Sequence, residues 1–222
     1  MKLIIFDFDG TLVDSRKLIS ESNRVVFGQF GFPVPAEEAS FSLVGISLEL
    51  ALRQLAGPDA PVEKMVLAYH QALPLLRADA AYVEVPFDGA ADLLAELAAR
   101  KDVRLGIATG HVSHMIVPAL ERFGWQGHFC TVQTADKAPS KPHPGMILQA
   151  LSEADAAAED AVMIGDTSYD MEMACSADVR AVGVSWGYHR PDRLRDAGAS
   201  CVVNDISELR GSLLEWISSV PR

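Results

Sequence analysis

Cysteine is scarce in this chain: three thiols, Cys130, Cys175 and Cys201, with no Cys-x-x-Cys pair among them. An odd number without paired spacing argues against a disulfide framework and against a cysteine-ligated zinc site, so reduced thiols are expected. No apolar run approaches the roughly 20 residues that span a bilayer, and the opening Met1-Lys2-Leu3-Ile4-Ile5-Phe6 meets Asp7 too soon for a signal peptide. The expectation is a cytoplasmic protein with no membrane partner. Basic residues are also few, nineteen Lys and Arg against thirty Asp and Glu, and the formal charge is −11. That field repels phosphate backbones, which disfavours nucleic acid as a partner. An anionic substrate would need local lysines or a bound cation to overturn it.

What remains is the balance of an ordinary globular protein, 49% hydrophobic and 22% charged over 222 residues, enough for one large domain or a core with a modest second unit. Residues 3–6 form a wholly apolar, β-rich run that stops at Asp7-Phe8-Asp9-Gly10, the mark of a buried parallel strand ending in a polar loop. Residues 103–108 end likewise at Thr109-Gly110, and residues 161–164 at Gly165-Asp166-Thr167. A fourth strand is expected over 181–185. Helical periodicity fills the intervals at 89–100, 112–123, 144–151 and 169–177. Alternation of this kind predicts an α/β fold, a doubly wound, Rossmann-like parallel sheet whose ligands bind at the carboxyl ends of the strands.

Residues 15–81 break the alternation. They carry helical periodicity at 48–55 and 62–76, with turn signals at Gly31-Phe32-Pro33 and Gly57-Pro58, and no convincing strand. They read as a small all-helical unit inserted into a core made of 1–14 and 82–222.

Four strand ends or loops carry residues suited to chemistry. Asp7 and Asp9, two residues apart after a strand, would repel each other unless one is protonated or a cation intervenes, which suggests metal binding, shared-proton chemistry or both. A polar turn with Asp14 capping a helix is the plainer alternative. Asp166 and Asp170, one helical turn apart, suit either a hard cation such as Mg2+ or the N-terminus of a helix. Thr109 and Gly110 offer a hydroxyl and backbone N–H groups near a helix start, a common way to hold phosphate oxygens. Lys141, fixed by Pro142, is a constrained positive charge or a surface lysine in a proline-rich turn.

The conjunction Asp7-x-Asp9-x-Thr11, Thr109, Lys141, Gly165-Asp166-x-x-x-Asp170 resembles the haloacid dehalogenase superfamily in its phosphatase branch, and covers nearly the whole chain. That resemblance implies that Asp7 is a nucleophile forming an aspartyl-phosphate and that Asp9 is the general acid, then base. It implies Mg2+ held by Asp7, the backbone carbonyl of Asp9 and Asp166, with Asp170 in or behind the metal site. Thr109, Gly110 and Lys141 would bind the phosphoryl oxygens. Residues 15–81 would be a helical cap, the substrate a small phosphorylated metabolite, and the assembly a monomer or homodimer.

Asp9 argues against dehalogenation, because halide leaves without a proton. Leu48 and Ile19 stand where the related sugar-phosphate mutase has an arginine and a histidine, which turns the expectation from a phosphomutase to hydrolysis. Intact Asp7, Asp9, Thr109, Lys141 and Asp166 argue against a non-catalytic sensor of a phosphorylated ligand. The pattern is most similar to phosphoglycolate phosphatases, although Gly110-His111 follows Thr109 where many of those have Asn-Lys. His111 and His114 could face the cleft, but exposed positions at a helix start are the plainer expectation. Cys175 is expected to be a buried small residue.

Overall fold

A computed structural model of the chain describes residues 1–219. The chain starts with β1 (Lys2–Phe6) and the two-residue β2 (Val13–Asp14), then enters four helices, α1 (Arg16–Phe30), α2 (Glu37–Phe41), α3 (Leu48–Ala56) and α4 (Val62–Leu76). It returns through β3 (Val85–Pro86) to α5 (Ala90–Ala98), β4 (Val103–Ala108), α6 (Ser113–Arg122), β5 (Phe129–Gln133) and α7 (Gly145–Glu153). The rest is β6 (Ala161–Gly165), α8 (Ser168–Ser176), β7 (Arg180–Val184), α9 (Pro191–Asp196), β8 (Cys201–Val203) and α10 (Ile206–Ser218). Among the described residues no helix is long and apolar enough to cross a membrane.

The main sheet has the order β5-β4-β1-β6-β7-β8, with every neighbouring pair parallel. The chain runs outward from β1 through β4 to β5, then crosses back to β6 on the other side of β1. That reversal opens a crevice at the carboxyl ends of β1, β4 and β6, where open α/β sheets bind ligands. Helices cover both faces, which is why β1 is apolar on both: Ile4 and Phe6 join the cluster under α5, α6 and α10, whereas Leu3 and Ile5 join the one under α7 and α8. All four are fully buried, each contributing roughly 1.5–3 kcal/mol. The doubly wound, Rossmann-like α/β fold is therefore as expected.

Helices α1, α3 and α4 pack around a third apolar cluster containing Leu18, Phe27, Leu52, Met65 and Tyr69. The chain enters and leaves this unit through neighbouring strands, Val13 pairing with Pro86 and Asp14 with Val85. The loop after α2 lies against the sheet edge: Ser140 Oγ accepts from Ser47 N at 2.8 Å, and Tyr169 donates to Ser42 O at 3.2 Å.

Two strands of the main sheet, and the short β2–β3 pair, were not anticipated. β5 alternates buried and exposed residues at the sheet edge, and β8 has only three residues at the opposite edge. Neither presents the continuous apolar run of a central parallel strand. Cys175 corrects another expectation, because it is exposed on α8 rather than buried.

Candidate active site

The sheet extends one residue past β1, since Asp7 N donates to Ile164 O at 2.9 Å. The chain then folds back on Phe8 O, which accepts from Leu12 N and Val13 N, and Gly10 takes a φ of +78° that favours glycine. Asp7 is thus aimed from a rigid strand end into the crevice. β6 presents Asp166 from the adjacent strand, and β4 presents Thr109. Lys141 comes from the loop before α7. Asp170 comes from the first turn of α8, where Thr167 and Asp170 form a reciprocal capping box.

These groups form one buried charge cluster. Lys141 Nζ lies 2.8 Å from Asp7 Oδ1 and 2.6 Å from Asp170 Oδ1, and its side chain is wholly shielded from solvent. Carboxylate oxygens of Asp7, Asp166 and Asp170 all lie within 4.8 Å of one another. Burial, only partly offset by Lys141 and reinforced by Asp170, pushes Asp7 up to about 7. Burial and the charges of Asp7 and Asp170 likewise hold Asp166 well above the carboxylate range. The same two carboxylates overcome the burial of Lys141 and keep it firmly cationic.

The oxygen partners separate the three acids. Asp170 is saturated, with Oδ1 on Lys141 and Oδ2 accepting from Thr167 N and Oγ1 at 3.1 and 2.7 Å. Asp166 accepts from Thr11 Oγ1 and Tyr188 N, each at 2.8 Å. Asp7 Oδ2 is buried with no partner. A lone carboxylate oxygen beside two more acids, all hard donors, fits a small divalent cation.

Thr109 is buried, its amide donating to Gln133 O at 3.0 Å. Gly110 lies directly beneath the helical unit, where a Cβ would come within 2.6 Å of Ile46 O. Asp7, Asp9, Thr109 and Gly110 all line one cavity of about 330 Å³ between that unit and the sheet edge. The carboxylate of Asp9 does not join the acid cluster. Its Oδ2 lies 2.7 Å from His111 Nε2. Burial works against its ionisation, but His111 outweighs that and lowers Asp9 below its ordinary value. Burial of His111 is outweighed in turn by Asp9, and the imidazole is held above its ordinary value.

His111 is therefore part of the site and not an exposed residue at a helix start. Gly187 and Tyr188 also belong to it: the Tyr188 amide positions Asp166, and a Cβ on Gly187 would lie 2.2 Å from Asp166 Oδ2. The signal was the short Ser185-Trp186-Gly187-Tyr188-His189 loop after a strand, equally readable as a turn. Arg16 braces this loop from α1 through Trp186 O and Gly187 O, at 2.5 and 2.8 Å.

Residues 4–184 match the family model described as Haloacid dehalogenase-like hydrolase, and the chain belongs to that family. Among its relatives is the protein named "Probable phosphatase IndB" of Dickeya dadantii, 33% identical over 95% of this chain and 92% of the relative. A tyrosine-protein kinase, PtkA, of Mycobacterium tuberculosis is 32% identical over 96% of this chain and 72% of its own length. A phosphoglycolate phosphatase of Nitrosococcus oceani is 28% identical over 96% of both. The crystal structure of a hydrolase from Pseudomonas syringae superposes with a TM-score of 0.85 at 26% identity, covering 97% of this chain and 99% of that one.

Proposed function

We propose that this protein is a Mg2+-dependent phosphatase that hydrolyses a small phosphorylated metabolite. The observation that carries the reading is Asp7 Oδ2, an unpartnered buried oxygen at a strand tip beside Lys141 and two further acids. Family membership and the phosphatases among the relatives support it.

In this reading Asp7 attacks phosphorus, the bond to the leaving oxygen breaks, and an aspartyl-phosphate forms on Asp7. Asp9 delivers a proton to the leaving oxygen, then takes one from the water that hydrolyses the intermediate. The proton is stored in the Asp9–His111 pair: the imidazole carries it, and the 2.7 Å contact passes it to the carboxylate that faces the cavity. Lys141 uses two of its three N–H donors on Asp7 and Asp170, leaving the third for a phosphoryl oxygen. Thr109 and the Gly110 amide hold the remaining phosphoryl oxygens.

Asp7, Asp166 and the backbone carbonyl of Asp9 would hold Mg2+, with Asp170 behind them fixing Lys141. When bound, the ion supplies charge neutralisation and Lewis-acid stabilisation of the phosphoryl group. Residues 15–81 serve as a cap over a core of 1–14 and 82–222, excluding water from the reaction. Hydrolysis is favoured over phosphoryl exchange because Ile19 and Leu48 line the cavity without the charge that a second phosphate needs.

The test is phosphate release from a panel of small phosphomonoesters, phosphoglycolate and hexose phosphates included, in Mg2+ and in EDTA. Metal-dependent release is expected. No release from any ester by folded, Mg2+-supplied protein refutes the reading.

A further inference from the structure

The cavity that Asp7 and Asp9 open into is walled mainly by hydrocarbon. Leu18 and Ile19 of α1, Leu48 and Leu52 of α3, Tyr69 of α4 and Met115 of α6 all line it. Its volume of about 330 Å³ equals roughly eleven water-sized volumes, space for a phosphoryl group and a substituent of several carbons.

Charge on the lining is the second observation. Among the described residues it carries, besides Asp7 and Asp9, Glu49, Glu84 and Asp136, one arginine and no lysine. That arginine, Arg77, is already committed: its Nε lies 3.0 Å from both oxygens of Glu84, and its Nη2 bonds Glu84 as well. His111 is engaged by Asp9. His70 packs edge-on against His114, with ring centroids 5.1 Å apart, and its burial and the neighbouring imidazoles favour the neutral form. A carboxylate or second phosphate on the substrate would enter this chamber among acids and find no free cation among the described residues to pair with. A polyhydroxyl sugar would strand most of its hydroxyls against Leu and Met side chains.

Resting on the phosphatase reading above, we infer that the alcohol carried by the substrate's phosphate is uncharged and largely apolar, an alkyl or aromatic group, with at most one or two neutral polar groups. Asn23, Tyr69 and the serines Ser15, Ser40 and Ser47, all in the lining, are the neutral side chains available to meet those groups.

Inert phosphonates separate this inference from the question of turnover. Isothermal titration of the Mg2+-supplied protein should show hexylphosphonate binding at least tenfold more tightly than phosphonoacetate, the carboxylate-bearing mimic of phosphoglycolate. In turnover, kcat/KM should climb roughly three- to fourfold per added methylene from ethyl to hexyl phosphate, as burial of each CH2 group predicts. Leu48→Arg, which places a cation in the chamber, should reverse the phosphonate preference. Ile19→Arg provides the same test from α1 if the first variant does not fold. Equal or tighter binding of phosphonoacetate, no binding of hexylphosphonate, or an unchanged preference in a folded arginine variant overturns the inference. Absence of turnover on every ester refutes the phosphatase reading alone, because the order of phosphonate binding still decides the chemistry of the chamber.

Discussion

Lys141→Met removes the buried ammonium that holds Asp7 and Asp170 together while keeping most of the side-chain volume. Two carboxylates then face each other, with Asp166 close by, and the folded state must protonate one or bear the repulsion. Protonating a carboxyl of ordinary value 3.8 at pH 7 costs about 4 kcal/mol, at about 1.4 kcal/mol per pH unit, which bounds the penalty for one group. Asp7 is already pushed up to about 7 with the lysine present, so the added cost falls mainly on its neighbours. A loss of about 3–4 kcal/mol agrees with the usual cost of removing one partner of a buried pair. In a chain of this length that lowers Tm by about 6–15 °C. The sign with pH follows from linkage: a carboxyl raised in the folded state binds more protons folded than unfolded above 3.8, so the deficit grows as pH rises and closes as pH falls. Mg2+ should stabilise any protein that binds it by about 2.7 kcal/mol at a hundredfold excess over Kd. It narrows the deficit only as far as the variant, with one positive charge fewer, binds it more tightly than the parent. Thermal melts of both proteins from pH 5 to 7, in EDTA and in Mg2+, provide the assay. A variant within about 2 °C of the parent at pH 7 in EDTA, or a deficit that widens on acidification, refutes the electrostatic reasoning.

Glu84→Gln breaks the pairing of a buried carboxylate with Arg77 and Arg122, and should cost about 2 kcal/mol, since both arginines are partly exposed. Burial raises Glu84, but the Arg77 hydrogen bonds overcome it and hold the carboxyl below its ordinary 4.5. The difference in urea stability should therefore be full above that pH and vanish as pH falls below it. Gly187→Ala forces a methyl into Asp166, so it should reduce Mg2+ affinity and lower kcat at least tenfold, as a displacement on the order of 1 Å does elsewhere. Metal titration and steady-state kinetics check it together. His111→Gln should lower kcat about 10- to 100-fold with KM little changed and Tm within about 3 °C, because it removes the stored proton and not a phosphate contact. A Tm loss with unaltered kcat would make His111 merely structural.

The central sheet was legible because parallel strands buried on both faces read as continuous apolar runs, as at residues 3–6 and 161–164. The edge strands were not, since β5 is half-exposed and β8 has three residues. Asp7, Asp166, Asp170 and Lys141 were individually ambiguous: the surface alternative fails for Lys141, which is buried, whereas the helix-terminus alternative for Asp170 holds together with its place in the charge cluster. Asp170 both caps α8 and bonds Lys141. His111 was harder to place, because its partner lies about a hundred residues away on a different strand end. Gly187 was hidden for a similar reason: only the position of Asp166 reveals why a side chain there is excluded. Local periodicity carries no information about such contacts.

The most direct test of the mechanism is the covalent step. Mg2+-supplied protein turning over a good phosphomonoester is quenched rapidly in acid and digested, and the peptide containing Asp7 is weighed. A mass increment of one phosphoryl group on that peptide, located at Asp7 and absent from Asp7→Asn, is the result predicted. Steady phosphate release with no such adduct, or with the phosphoryl group on another residue, contradicts the assignment of Asp7 as the nucleophile.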